Sequence, residues 1–70
     1  MKIEQYSTQR MQELMQARGL TAYKVAKLCG YPHSTVSNYM RGYSLTTPLF
    51  LDSFCRVVGI SMSEFYADYK

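Results

Sequence analysis

GLTAYKVAKLCGYPHSTVSNYMRG, residues 19–42, is the stretch whose reading decides the fold. Thr21 is placed to cap a helix in which Val25, Ala26 and Cys29 form one apolar stripe, with Tyr23, Lys24 and Lys27 on the opposite arc. Gly30 ends that helix after little more than two turns, since a residue without Cβ accepts a left-handed backbone at low cost. Pro32 suits the start of a helix, where its missing N–H leaves no bond unmade. A further helix is expected from about Pro32 to Met40. At 100° per residue, Val36, Tyr39 and Met40 fall on one side of it, and Ser34, Ser37, Asn38 and Arg41 on the other, with His33 at the N-terminal end. Short side chains that both donate and accept hydrogen bonds replace the Glu and Lys of a merely solvated helix, which points to contact with another molecule.

Working outward, Ser7 to Arg18 reads as a first amphipathic helix, with Met11, Leu14 and Met15 at i, i+3, i+4 spacing and Gly19 as its stop. Leu20 returns to the core. Gly42 to Thr46 is a loop, and Thr47-Pro48 is a cap followed by the favoured first helical residue. Leu51, Phe54, Cys55 and Val58 make the apolar stripe of a fourth helix that stops at Gly59. Ser61 and Glu64 have capping-box spacing, so a fifth helix begins there and carries Phe65, with Tyr66 and Tyr69 near the end. The expectation is an all-α, compact bundle of five short helices over residues 1–70, one domain without a strand.

Composition narrows the function. The chain has 70 residues, 47% of them hydrophobic and 19% charged, enough apolar matter for one small core and too little charge for a disordered polyelectrolyte. A domain of this size leaves little room for a deep catalytic cleft, so binding is the expected activity. There is no apolar run long enough for a membrane span and no secretory signal, so the expected location is the cytoplasm. Cys29 and Cys55 are too few for a disulfide framework, and with the single His33 they make no metal site; both read as reduced, buried thiols. No Gly-rich phosphate loop is present, and no metal, cofactor or small-molecule ligand is expected. Ser34 and Thr35 beside His33 are the nearest approach to a nucleophile and base, and adjacency on one helix does not make a triad, so no catalytic residue is assigned.

Charge is unevenly placed. No acidic residue lies between Glu13 and Asp52, a run of 38 residues holding Arg18, Lys24, Lys27 and Arg41; that run is +4 and the rest, with 4 basic and 5 acidic residues, is −1, for the total of +3. Such a run reads either as a plain solvated face or as one directed at a polyanion.

Residues 19–42 resemble the helix-turn-helix of the lambda Cro and cI repressor family, the XRE family. The resemblance rests on Gly19, Leu20, Thr21, Val25, Ala26, Gly30, Ser34, Thr35, Val36, Ser37 and Gly42, and continues through Leu51, Phe54, Cys55, Gly59, Ile60, Ser61, Glu64 and Phe65, covering about residues 9–66. It implies a lambda-repressor-like bundle whose helices 2 and 3 form the helix-turn-helix. Helix 3, residues 33–40, then enters a DNA major groove while helix 2 crosses the phosphate backbone.

The base-reading positions implied are His33, Ser34, Ser37 and Asn38, of which Asn38 suits a bidentate contact to adenine. Ser34 also reads as a first-turn helper of the cap, and His33 as a neutral donor or a bystander. Backbone contacts are implied for Thr21, the free N–H groups of Ala22 and Tyr23, and Lys24, Lys27, Thr35, Arg41, Tyr43 and Ser44. Lys24 and Lys27 alternatively belong to ordinary wet surface, and Tyr43 to a lid over the loop.

Two departures from the family pattern stand out. Many members pair an Arg in helix 1 with a Glu at the end of helix 3, and Met15 and Met40 occupy those positions here; Leu45, Thr46 and Thr47 are neutral where many members carry Lys or Arg. The first removes an orienting device and the second predicts weaker, less salt-dependent binding. Leu49, Phe50, Val57, Tyr66 and Tyr69 are left over once the core stripes are assigned, and are expected to form a homodimer interface, either standing or formed on DNA.

The function expected is therefore sequence-specific binding of double-stranded DNA at a near-palindromic operator, as a small bacterial or phage transcriptional regulator of Cro-like repressor type, associated with the nucleoid. Alternatives are a protein-interaction module on the same fold, antitoxin or antirepressor-like, and an excision or maintenance factor of a mobile element.

Overall fold

Thr21 and Thr47 each accept, on the side-chain oxygen, the backbone N–H three residues on, at 3.2 and 3.1 Å. The computed structural model, which describes residues 2–69, starts a helix after each. Its elements are α1 (Ile3–Ala17), α2 (Ala22–Cys29), α3 (His33–Arg41), α4 (Pro48–Val58) and α5 (Met62–Phe65), with no strand among the described residues. At α5 the capping box forms: Glu64 N–H donates to Ser61 Oγ at 3.1 Å and Ser61 N–H to Glu64 Oε1 at 3.3 Å. Pro32 takes the N-cap of α3 rather than its first turn.

Gly30 closes α2 at φ +76°, and a Cβ built there would meet nothing within 4 Å. The demand for glycine at the turn is thus one of backbone angle, not of space. With that angle set, Tyr31 N–H reaches back to the Ala26 carbonyl at 3.0 Å, closing the α2 end and turning the chain into α3.

The core gathers one row of side chains from most helices and two adjacent rows from α4. Met11, Leu14 and Met15 of α1, Val25 and Ala26 of α2, Val36 and Tyr39 of α3, and Phe65 of α5 surround Phe50, Leu51, Phe54, Cys55 and Val58 of α4. Phe50 is the hub, its ring centroid 5.1 Å from Tyr31, 4.7 Å from Tyr39 and 6.1 Å from Phe54.

Four expectations are corrected. Phe50 is fully buried and offers nothing to a partner, because α4 is central and buries an arc wider than a single i, i+3, i+4 stripe. Tyr66 is half-buried within the chain: its hydroxyl lies 3.3 Å from Ser7 Oγ and its ring stacks on Tyr6 at 5.9 Å. Tyr69, 36% exposed, also leans on Tyr6, at 5.2 Å. The apolar surplus near the C-terminus therefore has a seat on α1. Third, α1 begins at Ile3, not Ser7; Ser7, read as a helix start, is buried inside the helix. Fourth, Cys29 is half-buried, while Cys55 is buried as expected.

Candidate nucleic-acid interface

Helices α2 and α3 meet over Val25, Ala26 and Val36, exposed by 0, 3 and 0%. Ala26 is the close approach: a methyl group is the whole side chain available at the crossing. With the apolar edge of α3 held inward, its opposite edge is turned out, so His33, Ser34 and Arg41 are exposed and Ser37 and Asn38 half-buried. Thr35, on the flank, is half-buried.

Ser37 Oγ lies 3.5 Å from His33 Nε2, and the His33 ring sits 6.1 Å from Tyr23 at the start of α2. Tyr23, His33 and Ser37 thus form one outer cluster at the mouth of the helix-turn-helix. Among the described residues the Asn38 side-chain amide makes no hydrogen bond within the protein, although the Asn38 carbonyl accepts Tyr43 N–H at 2.9 Å and Ser44 N–H at 3.4 Å. An amide with both donor and acceptor edges unoccupied can recognise a group that presents the complementary pair.

The anion-seeking groups lie on α2, on α3 and in the loop that follows α3. Thr21 caps α2, which leaves Ala22 and Tyr23 as the N–H groups of its first turn, neither of them paired within the described residues. Lys24, Lys27 and Arg41 make no salt bridge among the described residues, whereas Arg10 pairs with Glu13 at 3.6 Å and Arg56 with Asp52 at 3.1 Å. Arg18 leaves this group: its guanidinium binds the Val58 carbonyl at the end of α4. Of the four cations in the acid-free run, three are untethered among the described residues, whereas Arg18, its charge not neutralised, is held at the end of α4. Tyr43 is 75% exposed and does not cover the loop, and Ser44 is exposed beside it. Leu49 is 72% exposed and Val57 half-buried, both on α4.

Two residues beside the site carry no sequence signal of their own. Thr8 Oγ1 donates to the Tyr39 carbonyl at 3.3 Å, and Gln12 Nε2 donates to the Met40 carbonyl. Met15 is buried and Met40 packs on the core, so both of the apolar residues singled out in the sequence turn inward. A Gln and a Thr on a helix surface are unremarkable in sequence, and their partners lie 28 and 31 residues away.

Compared with known protein families, residues 11–65 match the helix-turn-helix family of Cro/C1 type. Among curated proteins and among solved structures, none matches the chain significantly.

Proposed function

The chain is a member of the helix-turn-helix family of Cro/C1 type, a family of DNA-binding regulators, and we propose that it reads one sequence of double-stranded DNA as a small bacterial or phage transcriptional repressor. In this reading α3 lies in the major groove, with His33, Ser34, Ser37 and Asn38 toward the base edges. Asn38 contributes most, through a bidentate contact to adenine worth about 1–3 kcal/mol of discrimination. Thr21, Ala22, Tyr23 and Lys24 at the start of α2, with Lys27, Thr35, Arg41, Tyr43 and Ser44, hold phosphates and fix the register without specifying sequence. The observation that carries the reading is the Asn38 amide without a protein partner on the outward edge of α3, with Arg41 on the same helix and Lys24 and Lys27 on the adjoining α2 free of salt bridges among the described residues.

Three cations per copy hold DNA weakly, since each phosphate neutralised adds roughly 0.9 to the slope of log affinity against log salt. The longest dimension of the domain is 30 Å, less than the roughly 34 Å between successive major grooves on one face of the duplex. One copy thus reads one half-site, and a homodimer, standing or formed on DNA, reads a near-palindrome. Leu49, with Val57, is the surface favoured for that pairing, both lying on α4 and Leu49 being the more exposed. Among the described residues no helix is long and apolar enough to cross a membrane, and the proposed place of action is the cytoplasm, on the nucleoid.

Selection of bound duplexes from a random pool tests the reading. Enrichment of an inverted repeat with half-sites one helical turn apart is the expected result. A pool that stays random removes the proposal and favours a protein-interaction role for the same fold.

A further inference from the structure

We infer that Thr8 and Gln12 of α1 are positioning residues that set the orientation of α3 for sequence discrimination. The inference rests on the proposed reading of α3 as the DNA-reading helix.

An α-helix leaves its last four carbonyls without intrahelical donors. In α3 these belong to Asn38, Tyr39, Met40 and Arg41. Backbone N–H groups of the following turn serve the first two, Tyr43 on Asn38 at 2.9 Å and Gly42 on Tyr39 at 3.2 Å. Thr8 adds a second donor on Tyr39, and among the described residues Gln12 is the donor on Met40. The C-terminal end of α3 carries partial negative charge, and α1 meets it with a hydroxyl and an amide N–H.

These two donors come from one row of α1. Thr8, Gln12 and Met15 are spaced i, i+4, i+7, and Met15 at the end of the row is buried at 1% exposure. Apolar packing of Val36, Tyr39 and Met40 holds α3 against the core, but a smooth apolar contact resists sliding and rolling poorly compared with directional bonds at two successive carbonyls. The opposite side of α1 is itself tied to the C-terminal turn, where Tyr6 Oη donates to the Phe65 carbonyl at 2.8 Å. The frame that α3 is referred to is therefore fixed at both faces. A roll of a few tenths of an ångström at the outer edge matters for Asn38, because hydrogen bonds weaken steeply once length and angle leave a narrow range.

The bonds are partly solvated, Gln12 being exposed and Thr8 half-buried, so Gln12→Leu, Gln12→Glu and Thr8→Val leave the core intact. The test compares each variant with the unmodified protein and with Thr8→Ser. It measures affinity for the selected duplex and for a scrambled duplex of equal length at one salt concentration, together with the backbone carbonyl 13C shifts of Tyr39 and Met40 without DNA. Expected is a fall in the specific-to-scrambled ratio of about 2- to 10-fold for Gln12→Leu and Thr8→Val, the factor one net hydrogen bond supplies. Gln12→Glu, which sets a carboxylate against a carbonyl, falls further, Thr8→Ser retains the ratio, and the Met40 carbonyl signal moves in Gln12→Leu. A merely structural role would weaken both affinities together and leave the ratio unchanged, which overturns the inference, as does an unmoved Met40 signal. An unmodified protein that prefers no duplex overturns the proposed function and the inference with it; a selective protein whose ratio survives all substitutions overturns the inference alone.

Discussion

The Arg18 guanidinium donates through Nε to the carbonyl of Val58 at 2.9 Å, tying the end of α1 to the end of α4 across 40 residues of sequence. A cation at a helix C-terminus meets both an unpaired carbonyl and the negative end of the helix dipole. Solvent exposure of the side chain keeps its worth to about 1 kcal/mol. Arg18→Ala is expected to lower Tm by roughly 4–8 °C and to leave the salt dependence of DNA affinity unchanged. Lys24→Ala is expected to do the reverse, retaining Tm and reducing the salt slope by about 1. Calorimetry and a salt titration separate the two.

Tyr6 holds the C-terminal turn through a hydrogen bond to the Phe65 carbonyl and through ring contacts with Phe65, Tyr66 and Tyr69 at 6.3, 5.9 and 5.2 Å. Tyr6→Phe removes one hydrogen bond and is expected to cost about 1 kcal/mol. Tyr6→Ala also removes the ring and is expected to cost about 3 kcal/mol or more. Urea titrations give both numbers, and faster amide exchange at residues 65–69 in Tyr6→Ala would locate the loss.

Adjacent residues on α4 should behave oppositely. Phe50→Ala leaves a cavity at the hub of the core and is expected to cost about 3–5 kcal/mol, close to all that a core this small supplies, so the variant is expected to be unfolded at room temperature by circular dichroism. Leu49→Asp, one residue away and 72% exposed, should keep the fold and weaken self-association and operator affinity together. Sedimentation and DNA titration of Leu49→Asp that match the unmodified protein would remove the proposed pairing surface.

Asn38→Ala is expected to relax preference at one base pair, at a cost of about 1–3 kcal/mol for the preferred duplex, without altering the salt slope. Competition among duplexes that differ at single positions measures it. An equal loss on every duplex would place Asn38 among the phosphate contacts instead.

Burial pushes the Cys29 thiol above its ordinary value near 9.0, and Cys55 is raised by burial and then by the nearby Asp52 carboxylate. For a thiol raised in the folded state, stability is fully present below the unfolded-state pKa. It declines as pH climbs through that value toward the folded one, because the unfolded chain then releases protons the folded chain retains. Urea midpoints are expected to be flat from pH 7 to 8 and to drop above about pH 9. Replacing Cys55 by Ala should lower stability overall while reducing that alkaline drop.

Local chemistry made much of the fold legible in advance. Thr21, Gly30, Thr47-Pro48 and the Ser61–Glu64 box act within three or four residues, and each marks its helix end as read. The start of α1 lies four residues before the Ser7 start that propensity and apolar spacing suggest, because Lys2 N–H donating to Gln5 Oε1 carries no conventional signature. Long-range partners were not legible. Nothing about Tyr66 announces Ser7, nor Arg18 Val58, when the partners stand 59 and 40 positions apart. Phe50 was misjudged for a different reason: a periodic stripe finds one buried row, and a central helix buries two. Within the candidate interface the outward edge of α3 followed from helical geometry, while the donors that Thr8 and Gln12 bring to its carbonyls needed three-dimensional proximity.

Aromatic rings run without a break through the molecule, from Tyr39 on α3 to Phe50 and Phe54, then to Phe65, Tyr66 and Tyr69, each step between 4.7 and 6.5 Å. Such a line couples α3 to the C-terminal turn by packing, so loosening one end is expected to be felt at the other. The helix-turn-helix is then expected to melt together with the C-terminal turn rather than ahead of it.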